Sequence, residues 1–255
     1  MVSLVLLIAI ILFCFYYFTR NKKLVLPADS VSINVSVLEK NVLFYSRLSP
    51  ENKKHFEEDV LDFLQRIKIT PVNTTITDTD RLLVAAGAVI PIFYFPDWKY
   101  YNLREVLIYN DTFNKSFESA GTNSRDIMGM VGSGYMEGKM LLSKPAIEEG
   151  FSNKTDKNNT VIHEFVHLLD KSDGDTDGIP ELLLGKQFIL PWVDMIHQET
   201  KKIMEGKSDI DPYAYTNQAE FFAVVSEYFF ERPDLLKSKH PQLYEILHEM
   251  FRTPE

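Results

Sequence analysis

The sequence predicts an α+β fold, and two observations carry that reading. Apolar residues recur at three- and four-residue spacing after Ser49 and again between Asn217 and Phe251, as on the buried face of a helix. Between these stretches lie two short apolar runs of strand length, residues 105–109 and 140–143. Helices, then strands mixed with helices, then helices again is the order of an α+β domain rather than of a doubly wound sheet.

In chain order, residues 2–18 carry no charge and are almost wholly apolar. As a helix they span about 25 Å, just short of a bilayer core. Tyr16 and Tyr17 fall at the interface position, and Arg20, Lys22 and Lys23 follow. A cleaved signal needs a basic start and small residues at its end. This run has neither, and Phe13 before Cys14 is too bulky for a lipoprotein signal. The expectation is a single transmembrane anchor with a basic flank over residues 1–23. The body then lies on the side of the positive cluster, the cytoplasmic side. Pro27 and the polar residues around it read as a juxtamembrane linker, taken to residue 48.

The body is expected over residues 49–255. Ser49-Pro50-Glu51 is a helix start, with a capping hydroxyl, a first-turn proline and an acid. Phe56, Val60, Phe63 and Leu64 form the apolar stripe of that helix. Residues 67–77, rich in β-branched side chains, return as a strand or extended loop. A second helix over residues 80–90 packs through Ala85, Ala86, Gly87 and Ala88. The glycines at 132, 134 and 138 match neither the dinucleotide fingerprint nor the phosphate loop. A helix with Thr160 as its cap follows, and later helices run from Asn217 to Phe230 and over Pro241–Phe251.

Composition narrows the function. A hydrophobic content of 45% with 25% charged residues is that of a folded globular chain. The net charge of −9 argues against nucleic acid, which needs a basic footprint. A lone cysteine excludes an internal disulfide framework and a cysteine-rich zinc site. Any metal must rest on histidine and carboxylate ligands.

His163-Glu164-Phe165-Val166-His167 supplies such ligands. Residues four apart share one helix face, so both imidazoles point the same way. Two histidines provide two of the three protein ligands of a catalytic zinc. Glu164, next to the first, is placed to take a proton from an attacking water. The neighbours Val161, Ile162, Phe165 and Val166 are apolar, and polar groups on such a helix are costly unless used. A third ligand is needed, and Glu220 and Glu227 are the candidates. They stand seven residues apart on one apolar helix, on about the same face. The one that does not ligate can serve a ligand histidine's other nitrogen or remain an ordinary acid. Asp170, three residues after His167, has the same two readings. Residues 173–178 match the first half of a calcium loop, but Leu184 stands where the bidentate glutamate belongs. The missing ligand argues against calcium. His55, His197, His240 and His248 have no partner at ligand spacing and read as surface or packing residues.

The segment from His163 to Asp170, with Glu220-Phe221-Phe222-Ala223 and its continuation to Phe230, resembles the Mlc titration factor A family of zinc metallopeptidases. The similarity extends over most of the body and includes Ser172-Asp173-Gly174 and Asp177-Gly178-Ile179-Pro180. The tyrosine-to-glutamate pattern ahead of Phe221 is also similar to the catalytic domain of anthrax lethal factor. These resemblances imply a gluzincin-like domain with one zinc, held by His163, His167 and Glu220. They imply that Tyr213 donates to the developing oxyanion, with Tyr215 as its rival. They further imply peptide substrates and aminopeptidase-like activity on short ones. The alternative they raise is a regulatory protein that sequesters a transcriptional repressor. The strand at residues 140–143 is expected as the edge on which an extended peptide adds.

Overall fold

The computed structural model describes residues 33–96, 98–111, 129–132, 136–152 and 156–251. The expected anchor, its basic flank and the linker up to residue 32 lie outside the described residues. Among the described residues, no helix is long and apolar enough to cross a membrane.

The folded body begins earlier than the linker reading placed it. Val35–Asn41 forms α1 and Leu43–Ser46 forms α2. Leu38, Val42 and Tyr45 return to one face at helical spacing and are fully buried. The polar, proline-containing stretch that suggested a linker ends before Val35. Helix α3, Pro50–Arg66, starts as expected: Ser49 Oγ accepts from Asn52 N at 3.2 Å and Pro50 takes the first turn. Phe56, Val60 and Phe63 are its buried stripe.

Strand β1, Lys68–Val72, leads to α4, Asp78–Val89. Thr77 and Asp80 close a reciprocal capping box, which starts this helix two residues before the expected position. Strands β2, Glu105–Tyr109, β3, Gly129–Val131, and β4, Lys139–Ser143, complete one sheet in the order β1-β2-β4-β3. β1 and β4 flank β2 in parallel register, Val106 facing Ile69 on one side and Met140 on the other. β3 pairs antiparallel with β4, Met130 opposite Leu141. The expectation for residues 140–143 is thereby corrected. β4 is paired on both sides, and its apolar run is what a strand between two neighbours requires. The edge is β3.

After β4 the chain forms α5, Lys144–Ser152, and α6, Thr160–Asp170. Then come α7, Lys186–Met204, α8, Gln218–Glu231, α9, Pro233–Lys239, and α10, Pro241–Phe251. Sheet and helices share one apolar core, in which Trp192, Tyr228, Phe165, Phe221 and Phe222 are almost wholly buried.

His240 departs from its expected surface or packing role. It is buried between α7 and the loop that follows. Its Nδ1 lies 3.0 Å from Glu199 Oε2 and its Nε2 lies 2.8 Å from Asp209 Oδ1. Asp209 Oδ2 also accepts from Tyr228 Oη at 2.9 Å, Lys239 Nζ at 3.1 Å and Lys157 Nζ at 3.2 Å.

Candidate metal centre

Helix α6 is fixed at its start by Asn159, not by Thr160. Asn159 has extended backbone, and its Oδ1 accepts from Ile162 N at 3.3 Å. Every other polar group it offers on this side is also engaged. Its Nδ2 donates to Gly150 O at 2.8 Å and to Glu231 Oε1 at 2.9 Å, and its backbone N donates to Glu227 Oε2 at 2.6 Å. Thr160 is one residue too late to make these bonds. Val161, Ile162, Phe165, Val166 and Leu169 fill the core, which turns His163 and His167 toward α8.

The two Nε2 atoms lie 3.1 Å apart. Glu220 Oε2 lies 3.0 Å from that of His163 and 3.4 Å from that of His167. Ligands at about 2.0–2.1 Å around a tetrahedral zinc are separated by about 3.3 Å. The three atoms therefore have the spacing and chemistry that a divalent ion accepts. Among the described residues, this is the group of three candidate ligands that converges. The three side chains keep 11, 12 and 18% of their exposure, so the centre is open to solvent.

Glu227 occupies the other side of the His163 ring, with Oε1 2.6 Å from Nδ1. Seven residues on a helix return to nearly the same face but climb about 10.5 Å. That rise lets α8 put Glu220 against one ring nitrogen and Glu227 against the other. Burial would lower the His163 pKa, but Glu227, Glu220 and Glu164 hold it well above the ordinary histidine value. Burial would raise the Glu220 carboxyl, yet hydrogen bonds and charges from both histidines bring it down to about 2. The Glu164 carboxyl is raised by burial, only partly offset by the histidines.

Edge strand β3 crosses beside Glu164. A Cβ at Gly129 would stand 2.7 Å from Glu164 Cγ and 2.8 Å from its Oε1, so only glycine lets the strand come this near. The 3₁₀ turn Pro212–Tyr215, capped by Asp211, carries both candidate tyrosines, each about half exposed. The Tyr213 ring sits 6.1 Å from that of His163.

Asp170 accepts from Gly178 N at 2.9 Å through Oδ2. It makes no hydrogen bond to either histidine among the described residues. Burial pushes its carboxyl up to about 7. The carboxylates of the 173–178 loop bond backbone instead: Asp173 accepts from Asp175 N and Glu181 N, and Asp177 accepts from Ile179 N. Asn159, Glu231, Gly178 and Trp192 support the centre without having been singled out for it. An Asn-Asn-Thr run ahead of the motif was the one available signal.

The chain is similar over most of its length to several known proteins. A Synechocystis protein, slr2042, is 30% identical over 226 residues, covering 85% of this chain and 82% of its own. Mlc titration factor A of Pectobacterium atrosepticum is 27% identical over 220 residues, 80% of each chain. That of Klebsiella pneumoniae is 26% identical over 212 residues, 78% of each. The family model for the glucose-regulated metallo-peptidase M90 matches residues 18–252. With nearly its whole length matched, the chain belongs to the glucose-regulated metallo-peptidase M90 family.

Proposed function

We propose that this chain is a zinc-dependent peptidase whose ion is held by His163, His167 and Glu220. The observation that carries the reading is the convergence of His163 Nε2, His167 Nε2 and Glu220 Oε2. Zinc bound there supplies Lewis acidity toward the scissile carbonyl and the attacking water. Glu164 takes the proton of that water and returns it to the leaving amine. Its burial and raised proton affinity suit a group that must both accept and release a proton. Tyr213, beside the His163 ring, donates to the developing oxyanion. Glu227 holds the His163 ring and its tautomer. The position of β3 at one end of the sheet, close to Glu164, supports pairing of an extended peptide with that strand.

Aminopeptidase-like action on short peptides is supported by the family resemblance. A single-pass anchor at residues 2–18, with the body on the cytoplasmic side, is supported by the apolar run and by Arg20, Lys22 and Lys23.

The deciding experiment is Glu164→Gln. The variant is expected to keep zinc and lose hydrolysis of short chromogenic peptides by at least about a hundredfold. Hydrolysis at the parent rate contradicts the mechanism. The name shared by several relatives, Mlc titration factor A, favours a second reading in which the body binds a transcriptional regulator. Capture of a regulator by zinc-stripped protein, with no hydrolysis by the loaded one, would select it.

A further inference from the structure

Two buried polar atoms at the C-terminal end of α6 stand unpaired among the described residues: His167 Nδ1 and Asp170 Oδ1. They are the unpaired buried side-chain atoms of that helix. Three residues apart, they belong to one face. His163 shows what this environment gives a ligand ring, because its Nδ1 is met by Glu227 at 2.6 Å. His167 has no equivalent partner.

Asp170 is anchored from its other side. Oδ2 accepts from Gly178 N at 2.9 Å, and Gly178 O accepts from Trp192 Nε1 at 2.7 Å. Gly178 has φ +78, and a Cβ there would fall 2.2 Å from Gln218 O, at the first residue of α8. This glycine therefore lets the loop lie against the start of the helix that carries Glu220. Asp170 thus ties the end of α6 to the loop that lies against the start of α8.

We propose that in the metal-loaded protein Asp170 is a positioning residue, accepting from His167 Nδ1–H through Oδ1 a hydrogen bond that this structure does not contain, while Oδ2 holds the Gly178 loop against α8. The inference rests on the metal-centre reading above. When Nε2 serves a metal, the neutral ring carries its proton on Nδ1. A buried N–H needs an acceptor, and the unpaired Asp170 oxygen is the acceptor this helix offers. Both ligand histidines would then be backed by carboxylates, Glu227 for one and Asp170 for the other.

The test compares the full-length parent with Asp170→Asn. An asparagine oxygen can still accept from Gly178 N, but its amide nitrogen cannot accept from Nδ1–H. Zinc affinity, read by chelator competition, is expected to fall about 10- to 100-fold, with the thermal midpoint of the zinc-stripped protein little changed. Equal affinity overturns the proposal. A second measurement needs only the parent. With spin-active cadmium in the site, metal coupling picks out the two ligand rings in nitrogen-resolved NMR. Each is expected to show a slowly exchanging Nδ1–H, that of His167 included. A rapidly exchanging His167 Nδ1–H overturns the proposal while leaving the peptidase reading intact. A parent that binds neither zinc nor cadmium overturns both.

Discussion

Glu227 Oε1 lies 2.6 Å from His163 Nδ1, across the imidazole from Glu220. The same carboxylate accepts from Asn159 N at 2.6 Å, so it ties the ring to the cap of its own helix. Glutamine at this position keeps one acceptor and replaces the other with a donor, and one of the two bonds must break. Glu227→Gln is expected to weaken zinc binding about 10- to 100-fold. Chelator competition on parent and variant reads this directly, and unchanged affinity would remove Glu227 from the account.

Gly129→Ala should act on the catalytic carboxylate rather than on the fold. The added Cβ meets Glu164 Cγ at 2.7 Å and Oε1 at 2.8 Å, and a side chain gives way more readily than strand backbone. Zinc content should stay at the parent level while kcat/KM falls about 10- to 100-fold, or about 1.4–2.7 kcal/mol. Steady-state kinetics beside elemental analysis separates this from loss of metal.

Asn159→Ala should be among the most destabilising single changes in the body. It removes a helix cap, worth about 1 kcal/mol. It also leaves Gly150 O and Glu231 without their Asn159 partner in a buried setting, at about 1–3 kcal/mol more. Urea unfolding should show a loss of about 2–4 kcal/mol. A loss under 1 kcal/mol contradicts the role of Asn159 in joining these elements.

The His240 cluster gives stability a defined pH dependence. Burial would lower the His240 pKa and raise those of Glu199 and Asp209, but their mutual hydrogen bonds reverse all three shifts. A raised histidine contributes fully below its unfolded value near 6.5 and loses that contribution as pH rises through the folded value. Depressed carboxylates contribute above about 4 and lose it as pH falls through their folded values. The cluster, which includes Lys157, Lys202, Lys239 and Tyr228, is therefore strongest between about pH 4 and 6.5. His240→Gln should cost about 3 kcal/mol near pH 5.5 and clearly less near pH 9.5. A pH-independent difference contradicts this assignment.

The long periodic elements are legible in the sequence. Pro50–Arg66, Gln218–Glu231 and Pro241–Phe251 carry apolar stripes and proline or asparagine starts that local chemistry determines. β3 is not, because three residues, Gly-Met-Val, become a strand only through pairing with β4. That pairing moved the sheet edge away from residues 140–143. Helix α7 has no side-chain cap to mark its start at Gly185 and carries Pro191 within it, so local chemistry does not announce it. Glu220 and Glu227 were inseparable by periodicity, since seven residues nearly restore the helical angle. Their difference is height along the axis relative to His163, a tertiary quantity. His240 could not be recognised because its partners, Glu199 and Asp209, are distant in sequence.

Anomalous diffraction at the zinc edge from crystals of the zinc-loaded chain tests the central claim most directly. The account predicts one strong peak per chain, at about 2.0–2.2 Å from His163 Nε2, His167 Nε2 and a Glu220 oxygen. No peak at that position, or a peak coordinated by Glu227 in place of Glu220, contradicts it.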